Sequence, residues 1–308
     1  MRIAFFGTGD FAVPALEALV RAGHEVVVVV TQPDRPSGRG REVRAGALRR
    51  TAGTLCLVAL QPERVRSADF QELFRRYEPL DAAVCAAFGQ IIPQWLLDAP
   101  RLGFLNIHPS LLPRYRGAAP IHRAIMAGEA VTGVTIMLMD AGLDTGPILM
   151  QQEVPVASED DAGSLSARLA GIGAEMVVAA LESLQAGAIA PQPQDDSLAT
   201  YAKMLTPEDA EINWSAPAQA IANQVRALSP KPGARTTFGG TGLKVWSASV
   251  GSGKGEPSTV LAVLPQAVEV AAGEASVLLI EVQPESRKRM NAAEFARGAR
   301  VRVGDTMG

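Results

Sequence analysis

The opening thirty residues constrain the fold more than any other part of the chain. A short apolar run from Ile3 to Phe6 leads into the glycine turn Gly7-Thr8-Gly9. An amphipathic stretch over 13–22 and a second apolar run over 26–31 follow. Strand, turn, helix and strand in this order form a β-α-β unit, whose two strands must be parallel. The sequence therefore predicts an α/β domain built on a parallel sheet.

The same alternation continues for more than a hundred residues. Further strands are predicted over 55–60, 82–87, 102–107 and 133–139, and in GPILMQQEVPV, with helices over 67–77 and 161–187. The long helix closes the first domain, which we place at 1–189. A segment rich in proline and acidic or polar residues follows, and we interpret residues 190–206 as a linker.

The remaining residues, 207–308, have a different pattern. One helix over 217–227 precedes five short β-rich runs separated by glycine: RTTFGG, GLKVWSASV, STVLAVL, AVEVAAG and SVLLIEVQP. Five short strands in this length are typical of a small barrel of the OB type. We therefore predict a second, β-rich domain.

Composition narrows the class of protein. With 308 residues, 47% hydrophobic and 20% charged, the chain has apolar material for one large domain or two ordinary ones. The N-terminal apolar run is too short for a signal peptide, and VVVVV at 26–30 is far below spanning length, so we expect a cytoplasmic protein without a membrane segment. Cys56 and Cys85 lie outside any CxxC or Cys/His cluster, which predicts buried thiols and neither a disulfide nor a metal site.

The glycine turn has two interpretations. Gly7 to Ala12 matches the dinucleotide fingerprint G-x-G-x-x-G/A between a strand and a helix, and Asp34 at the end of the second strand could hold a ribose. The alternative is a tight turn that holds no nucleotide. The pattern leaves both open.

The stretch NIHP at 106–109 carries the clearest chemistry. Asn106 and His108 are two residues apart at a predicted strand end, so their side chains should share one face. An amide that polarises a carbonyl and an imidazole that moves a proton suit acyl transfer, with Asp144 as the candidate carboxylate. The alternatives are a structural histidine and an Asx turn at Asp144. His24 and His122 have no neighbouring acid–base partner.

A basic segment follows the second strand. Residues 35–50 contain six arginines and one glutamate. Such a segment can reach phosphates, and its alternative is a solvated loop.

NIHPSLLPRYRGAAP and GVTIMLMDAGLDTGPIL together resemble the folate-dependent formyltransferase family, and FFGTGDFAVPAL, TQPDRPSGRGR, AAFGQIIP and TYAKMLTPEDAEINW extend the resemblance over nearly the whole chain. The resemblance implies a Rossmann-like parallel-sheet formyltransferase domain followed by a small OB-type barrel that binds tRNA. It implies transfer of the formyl group of 10-formyltetrahydrofolate to the α-amine of methionine on initiator tRNA, for translation initiation. No metal is implied, the glycine turn then holds no dinucleotide, and we expect a monomer.

The resemblance also implies roles for particular residues. The catalytic positions are Asn106, His108 and Asp144. The folate-binding positions are Phe88, Gly89, Gln90, Ile91, Ser110, Leu111, Leu112 and Pro113, and the tRNA-binding positions are Arg35, Arg39, Arg41 and Arg44.

Other functions remain open from the sequence. The same three catalytic residues and SLLP occur in formyltransferases that act on glycinamide ribonucleotide or an amino sugar. A non-catalytic RNA-binding protein is a further alternative. Pro207, Glu211 and Lys231 depart from the family pattern, which affects the details of tRNA contact rather than the chemistry.

Overall fold

A computed structural model describes residues 1–34, 36–37, 42–43 and 45–308 of the chain. It divides into two compact units, one of Met1–Pro120, Val131–Pro155 and Ser166–Ala202, the other of Ile121–Ala130, Val156–Leu165 and Lys203–Gly308. The predicted tRNA-binding arginines, Arg35, Arg39, Arg41 and Arg44, lie outside the described residues. The domain bounds 1–189 and 207–308, with their linker, stay a prediction.

The first unit is built on a seven-stranded sheet. The strands up to residue 155 are β1 Arg2–Gly7, β2 Glu25–Val30, β3 Pro36–Ser37, β4 Glu42–Val43, β5 Ala59–Leu60, β6 Ala82–Ala86, β7 Phe104–His108, β8 Val131–Leu138 and β9 Ile148–Pro155. The helices up to residue 185 are α1 Val13–Arg21, α2 Ala47–Thr54, α3 Ala68–Phe74, α4 Gln94–Leu97, α5 Pro120–Met126 and α6 Ala162–Gln185. The sheet order is β5-β2-β1-β6-β7-β8-β9, and β3 pairs only with β4.

Five strands of this sheet are parallel, as the β-α-β pattern predicts, while β8 and β9 run antiparallel to their neighbours. The central strands β1, β6 and β7 are almost entirely buried. Helices cover parallel sheets on both faces, which is why β1 and β6 are nearly continuous apolar runs. His108 is the last residue of β7, so the predicted position at a strand end is confirmed.

The predicted strand over 55–60 is wrong in its first four residues. Only Ala59 and Leu60 pair in the sheet, because residues 55–57 end helix α2. The N–H of Leu57 donates to Ala52 O and that of Cys56 to Gly53 O, with Cys56 at a φ of 56°. This is a Schellman C-cap, in which a left-handed residue is usually glycine. Cys56 is therefore exposed, contrary to the expectation of a buried thiol.

The glycine turn after β1 is a site of close packing. A Cβ added to Gly7 would lie 2.7 Å from Ala12 Cβ and 2.9 Å from Ala86 O. The short 3₁₀ helix over Asp10–Ala12 and the end of β6 therefore approach β1 as closely as a hydrogen side chain allows. Close packing alone explains why residue 7 is glycine, and the explanation needs no bound nucleotide.

Helix α6 follows the last strand of the seven-stranded sheet. It runs from Ala162 to Gln185, within the predicted span of 161–187, and its buried residues include Leu165, Leu169, Val177 and Leu181. Among the described residues, α6 is the one helix that is long enough and apolar enough to cross a membrane. Half of its most apolar 18-residue segment is buried inside the protein. Core helices of soluble proteins have the same length and composition.

The second unit contains an antiparallel sheet. Its elements after residue 217 are α7 Ala218–Leu228, β10 Ala234–Phe238, β11 Thr241–Gly251, β12 Val260–Val263, β13 Val268–Ala271, β14 Ser276–Pro284, β15 Met290–Asn291 and α8 Ala292–Ala299. The strand order is β10-β11-β14-β13-β12, and β15 pairs with β14. The five β-rich runs of the sequence correspond to β10 to β14, around a core of Trp214, Ile221, Leu228, Val245, Val268 and Val282.

The two edges of this sheet are linked by residues 306–307. Thr306 forms an antiparallel bridge with Thr259, next to β12, and Met307 forms one with Phe238 of β10. Because exposed strand edges tend to pair with other chains, these bridges cover both edges at once. The OB-type description of the unit remains a prediction.

We predict that Gly7→Ala lowers stability by about 1–3 kcal/mol, because the new methyl group overpacks the contact with Ala12 and Ala86. The matched control is Gly171→Ala in the middle of α6, where an added Cβ meets nothing within 4 Å. It should stabilise by about 0.5–1 kcal/mol, since glycine is a poor helix former. Urea unfolding followed by circular dichroism measures both. Equal effects of the two substitutions would contradict the packing explanation.

Candidate active site

Strand β7 holds an amide and an imidazole in a buried position. Asn106 is 9% exposed and His108 is 4% exposed. Asn106 pairs with Cys85 of β6 on one side and with Met137 of β8 on the other, while His108 pairs with Thr135. Being two residues apart on one strand, the two side chains share a face of the sheet. Buried polar side chains are usually hydrogen-bonded, and for His108 the structure supplies a carbonyl partner.

The imidazole of His108 lies between a carbonyl and a carboxylate. Its Nε2 is 3.0 Å from Tyr115 O, and its Nδ1 is 3.7 Å from Asp144 Oδ2. Since a carbonyl only accepts, Nε2 carries a hydrogen and donates it to Tyr115 O. Nδ1 therefore faces Asp144, at a distance slightly beyond a direct hydrogen bond.

Asp144 is held by backbone rather than by another side chain's charge. It lies in the loop between β8 and β9 with a φ of 54°, in the left-handed region. Its Oδ2 accepts a hydrogen bond from the N–H of Gly117 at 2.8 Å. One carboxylate oxygen thus meets both His108 and Gly117, and Gly117 lies 27 positions from Asp144 in the sequence.

Two residues that the sequence analysis missed support this loop, one directly and one through the other. Gln194 donates to the carbonyls of Asp144 and Gly146, and the buried Arg116 donates to Gln194. Arg116 in PRYRG was a possible sequence signal of this network, because an arginine near the candidate histidine is either solvated or paired with an acceptor. Nothing in the sequence near Gln194 indicates its partners.

The turn after β7 is packed against β8. Ser110 is fully buried, and its Oγ donates to Arg114 O at 2.7 Å. Thr135 Oγ1 donates to Ser110 O and accepts from the N–H of Leu112. A Cβ at Gly133 would lie 2.4 Å from Leu111 Cδ2, so Leu111 covers that glycine. The Ser110 hydroxyl and the Leu112 N–H are therefore already used within the protein.

The segment after β6 lies beside a cleft. Phe88 is buried and packs edge to face on Phe6, with 5.5 Å between ring centroids. The side-chain Oε1 of Gln90 accepts a hydrogen bond from the N–H of Val65 at 3.0 Å. Ile91 is 84% exposed. The cleft has a volume of about 690 Å³ and is lined by Thr8, Gln32, Pro33, Glu63, Arg64, Arg66, Gly89, Gln90 and Ile91. It lies at the carboxyl ends of β1, β2 and β6, where open α/β sheets bind ligands.

Asp34 does not have the surroundings of a ribose-binding carboxylate. Its Oδ1 accepts from the Gly46 N–H at 3.1 Å, and its Oδ2 pairs with Arg49. The Gly46 N–H, assisted by the Arg49 guanidinium, lowers the pKa of Asp34 below its usual value. The carboxylate instead ties the end of β2 to the start of α2.

Cys85 lies next to Asn106 and within the electrostatic influence of Asp144. Burial raises the pKa of its thiol to about 12, and the negative charge of Asp144 acts in the same direction. Within the described ranges no group of three or more His, Cys, Asp or Glu residues could hold a metal ion.

Comparison with known proteins matches both units. The formyl transferase family model matches residues 1–181, and the model of the formyl transferase C-terminal domain matches residues 204–300. The chain is 48% identical over 310 residues to methionyl-tRNA formyltransferase of Solibacter usitatus, covering 100% of this chain and 99% of that protein. It is 46% identical over 308 residues to the enzyme of that name from Syntrophus aciditrophicus, covering 99% and 98%.

A solved structure shares the fold. HypX from Aquifex aeolicus in complex with tetrahydrofolic acid superimposes with a TM-score of 0.68 at 21% identity, covering 99% of this chain. The chain spans about half of HypX, 48% of its length.

The different surroundings of the two cysteines predict different reactivity. At about pH 8, Cys56 should react with a disulfide reagent in the native protein, whereas Cys85 should react only after unfolding, because the thiolate is the reactive form. Absorbance of the released thiol measures both. Cys56→Ser should abolish the native reaction. Two fast thiols in the native protein would show that Cys85, and with it the face of β6 next to Asn106, is open to solvent.

Proposed function

We propose, since the chain belongs to the formyl transferase family over both of its units, that it transfers a formyl group to the α-amine of methionyl-initiator tRNA. The observation that carries this proposal is full-length identity of 44–48% to eight relatives named methionyl-tRNA formyltransferase. The match to these relatives includes the second unit.

The donor is 10-formyltetrahydrofolate, which supplies a formyl group on its N10 atom. The segments 88–91 and 110–113 would hold it. The cleft beside Gly89, Gln90 and Ile91 supports this assignment, because its volume of about 690 Å³ lies in the usual range for small-molecule sites. Leu111, Leu112 and Pro113 would supply an apolar wall on the other side. Ser110 would act through its backbone position, since its hydroxyl is bonded to Arg114 O.

Asn106 would stabilise the charge that develops on the formyl oxygen. As the amine nitrogen bonds to the formyl carbon, the carbonyl electrons move to oxygen, and the bond from carbon to N10 then breaks. A fixed amide N–H₂ in a buried site is an effective donor to such an oxygen, because it needs no reorganisation during the reaction. The position of Asn106 on a central strand provides that rigidity.

His108 and Asp144 would handle the proton that the amine must lose. His108 is oriented by Tyr115 O, so its Nδ1 side faces Asp144. A proton taken up at Nδ1 would lie beside the negative carboxylate, which attracts it. The proton leaves the attacking amine and is returned to N10 of the departing folate, so the overall transfer is balanced.

The acceptor would be the aminoacyl ester rather than free methionine. The amine of free methionine is largely protonated near neutral pH, and a protonated amine has no lone pair for attack. The second unit would act as the tRNA-binding domain of OB type, together with Arg35, Arg39, Arg41 and Arg44. As a soluble translation enzyme, the protein would work as a monomer in the bacterial cytoplasm, without a metal ion.

Single-turnover transfer from 10-formyltetrahydrofolate tests the proposal. Charged initiator tRNA, charged elongator methionyl-tRNA and glycinamide ribonucleotide serve as acceptors in parallel reactions. We expect rapid transfer to the initiator alone. Preferred transfer to glycinamide ribonucleotide would move the protein to another branch of the family, and absence of transfer to all three would overturn the proposed reaction.

Substitutions at the site should affect the chemical step more than substrate binding. Asn106→Ala should lower turnover on the order of 100-fold, because an oxyanion donor is lost. His108→Ala should lower it at least as much, while tRNA binding persists. Rapid-quench kinetics and filter binding separate the two quantities. An Asn106→Ala variant with near-wild-type turnover would rule out the role assigned to Asn106.

Substitutions in the basic segment should affect tRNA binding instead. Arg39→Ala and Arg41→Ala should each weaken binding at low salt and reduce the slope of log affinity against log salt by about 1, as expected for the loss of one phosphate contact. Transfer at saturating tRNA should persist. The control is Arg21→Ala in α1, whose slope should equal that of the wild type. An unchanged slope for Arg39→Ala and Arg41→Ala would remove these arginines from the interface.

A further inference from the structure

We propose that Gln194 and Arg116 are positioning residues for the catalytic carboxylate, and that residues 194–202 are part of the catalytic apparatus. The inference rests on the proposed function, because it assigns a role in that reaction to residues outside the three catalytic positions.

The amide of Gln194 has all of its hydrogen-bonding positions filled. Its Nε2 donates to Asp144 O at 2.8 Å and to Gly146 O at 2.7 Å. Its Oε1 accepts from Arg116 Nε at 3.1 Å and Nη2 at 2.7 Å. An amide offers two N–H donors and two acceptor lone pairs, so each is used. Rotation of the amide by 180° would set its oxygen against two carbonyls, which fixes this orientation.

The two carbonyls belong to a loop that needs support. Asp144 has a φ of 54°, a conformation that costs free energy for a residue with a side chain. Gly146 permits a close approach, since a Cβ there would lie 1.9 Å from Leu138 O. The two hydrogen bonds from Gln194 therefore hold the loop on both sides of Thr145. A carboxylate that must face His108 Nδ1 depends on this backbone conformation.

Arg116 fixes Gln194 in turn. Its side chain is buried, with the residue 2% exposed, and Nη2 also donates to Asp196 Oδ1 at 2.7 Å. Burial of a guanidinium is unfavourable unless its donors are paired, so Gln194 and Asp196 are structurally required partners. The planar fork of arginine reaches Gln194 Oε1 with two donors at once, which a lysine does not reproduce.

The backbone around Arg116 links this network to both catalytic groups. Tyr115 O accepts from His108, and Gly117 N donates to Asp144 Oδ2. Arg116 N donates to Thr200 O at 2.8 Å, and Ala202 N donates to Arg116 O at 2.7 Å. A Cβ at Gly117 would lie 2.9 Å from Ala202 O, so the two segments are in close contact. Residues 115–117 and 194–202 thus form one hydrogen-bonded support beneath His108 and Asp144.

The test is a double-mutant cycle between Gln194 and Asp144. Gln194→Met keeps the length of the side chain and removes all four hydrogen bonds. Its matched control is Gln192→Met, the same change two residues away at an exposed side chain whose backbone pairs with Ile148. We expect Gln194→Met to lower kcat on the order of 10-fold, since small displacements of a catalytic group are costly. KM for both substrates should change less than about threefold.

The cycle distinguishes positioning from general destabilisation. In the Asp144→Asn background, Gln194→Met should lower the residual rate by less than about threefold, because the group it positions is already inactive. An equal loss in both backgrounds, or an equal loss in Gln192→Met, would overturn the proposal. So would a wild-type kcat in Gln194→Met.

A second variant separates loss of positioning from misfolding. Gln194→Glu keeps the two acceptor bonds to Arg116 and sets an oxygen against both loop carbonyls, so with its fold verified by circular dichroism it should lose at least as much kcat as Gln194→Met. Wild-type kcat in a folded Gln194→Glu would overturn the proposal. If the wild-type protein fails to formylate methionyl-tRNA, the proposed function fails separately. The same cycle is then measured with glycinamide ribonucleotide as acceptor, since the inference concerns the orientation of Asp144.

Discussion

The structure around the site depends on one constraint: polar side chains on a buried central strand must be hydrogen-bonded. Asn106 and His108 lie on β7, whose five residues are all buried. An unpaired buried polar group costs about 1–3 kcal/mol. The carbonyl of Tyr115 meets that requirement for His108, and Asp144 adds a charge beside Nδ1. The turn at 110–117 and the loop at 139–147 therefore supply the two partners of His108.

Backbone N–H and C=O groups provide many of the hydrogen bonds that hold the site in place. The carboxylate of Asp144 is held by the N–H of Gly117, and its carbonyl by Gln194. Side chains that look available in the sequence are committed elsewhere, such as the hydroxyl of Ser110, which is bonded to Arg114 O. Glycines at 117, 133 and 146 stand where another chain segment approaches too closely for a Cβ. Preorganisation of this kind would keep the proposed catalytic groups in place without movement during the reaction.

Short-range patterns in the sequence predict part of this fold. The parallel arrangement of β1, β2 and β6 follows from the β-α-β pattern. The strand expected over 55–58 fails because a Schellman cap competes for the same residues, and the apolar side chains of this stretch do not reveal it. The antiparallel direction of β8 was not apparent, because periodicity carries no information on strand direction. The basic segment that would contact tRNA lies outside the described residues.

The sequence by itself determined which residue types could react and that two of them share a face. The spacing of Asn106 and His108 is local, and the two-residue period of a strand converts it directly into a common side. Only the tertiary structure decided what surrounds them. Gly117 reaches Asp144 across 27 positions, Gln194 reaches it across 50, and Arg116 reaches Gln194 across 78. Such contacts arise where segments distant in sequence pack together, and no periodicity along the chain encodes them.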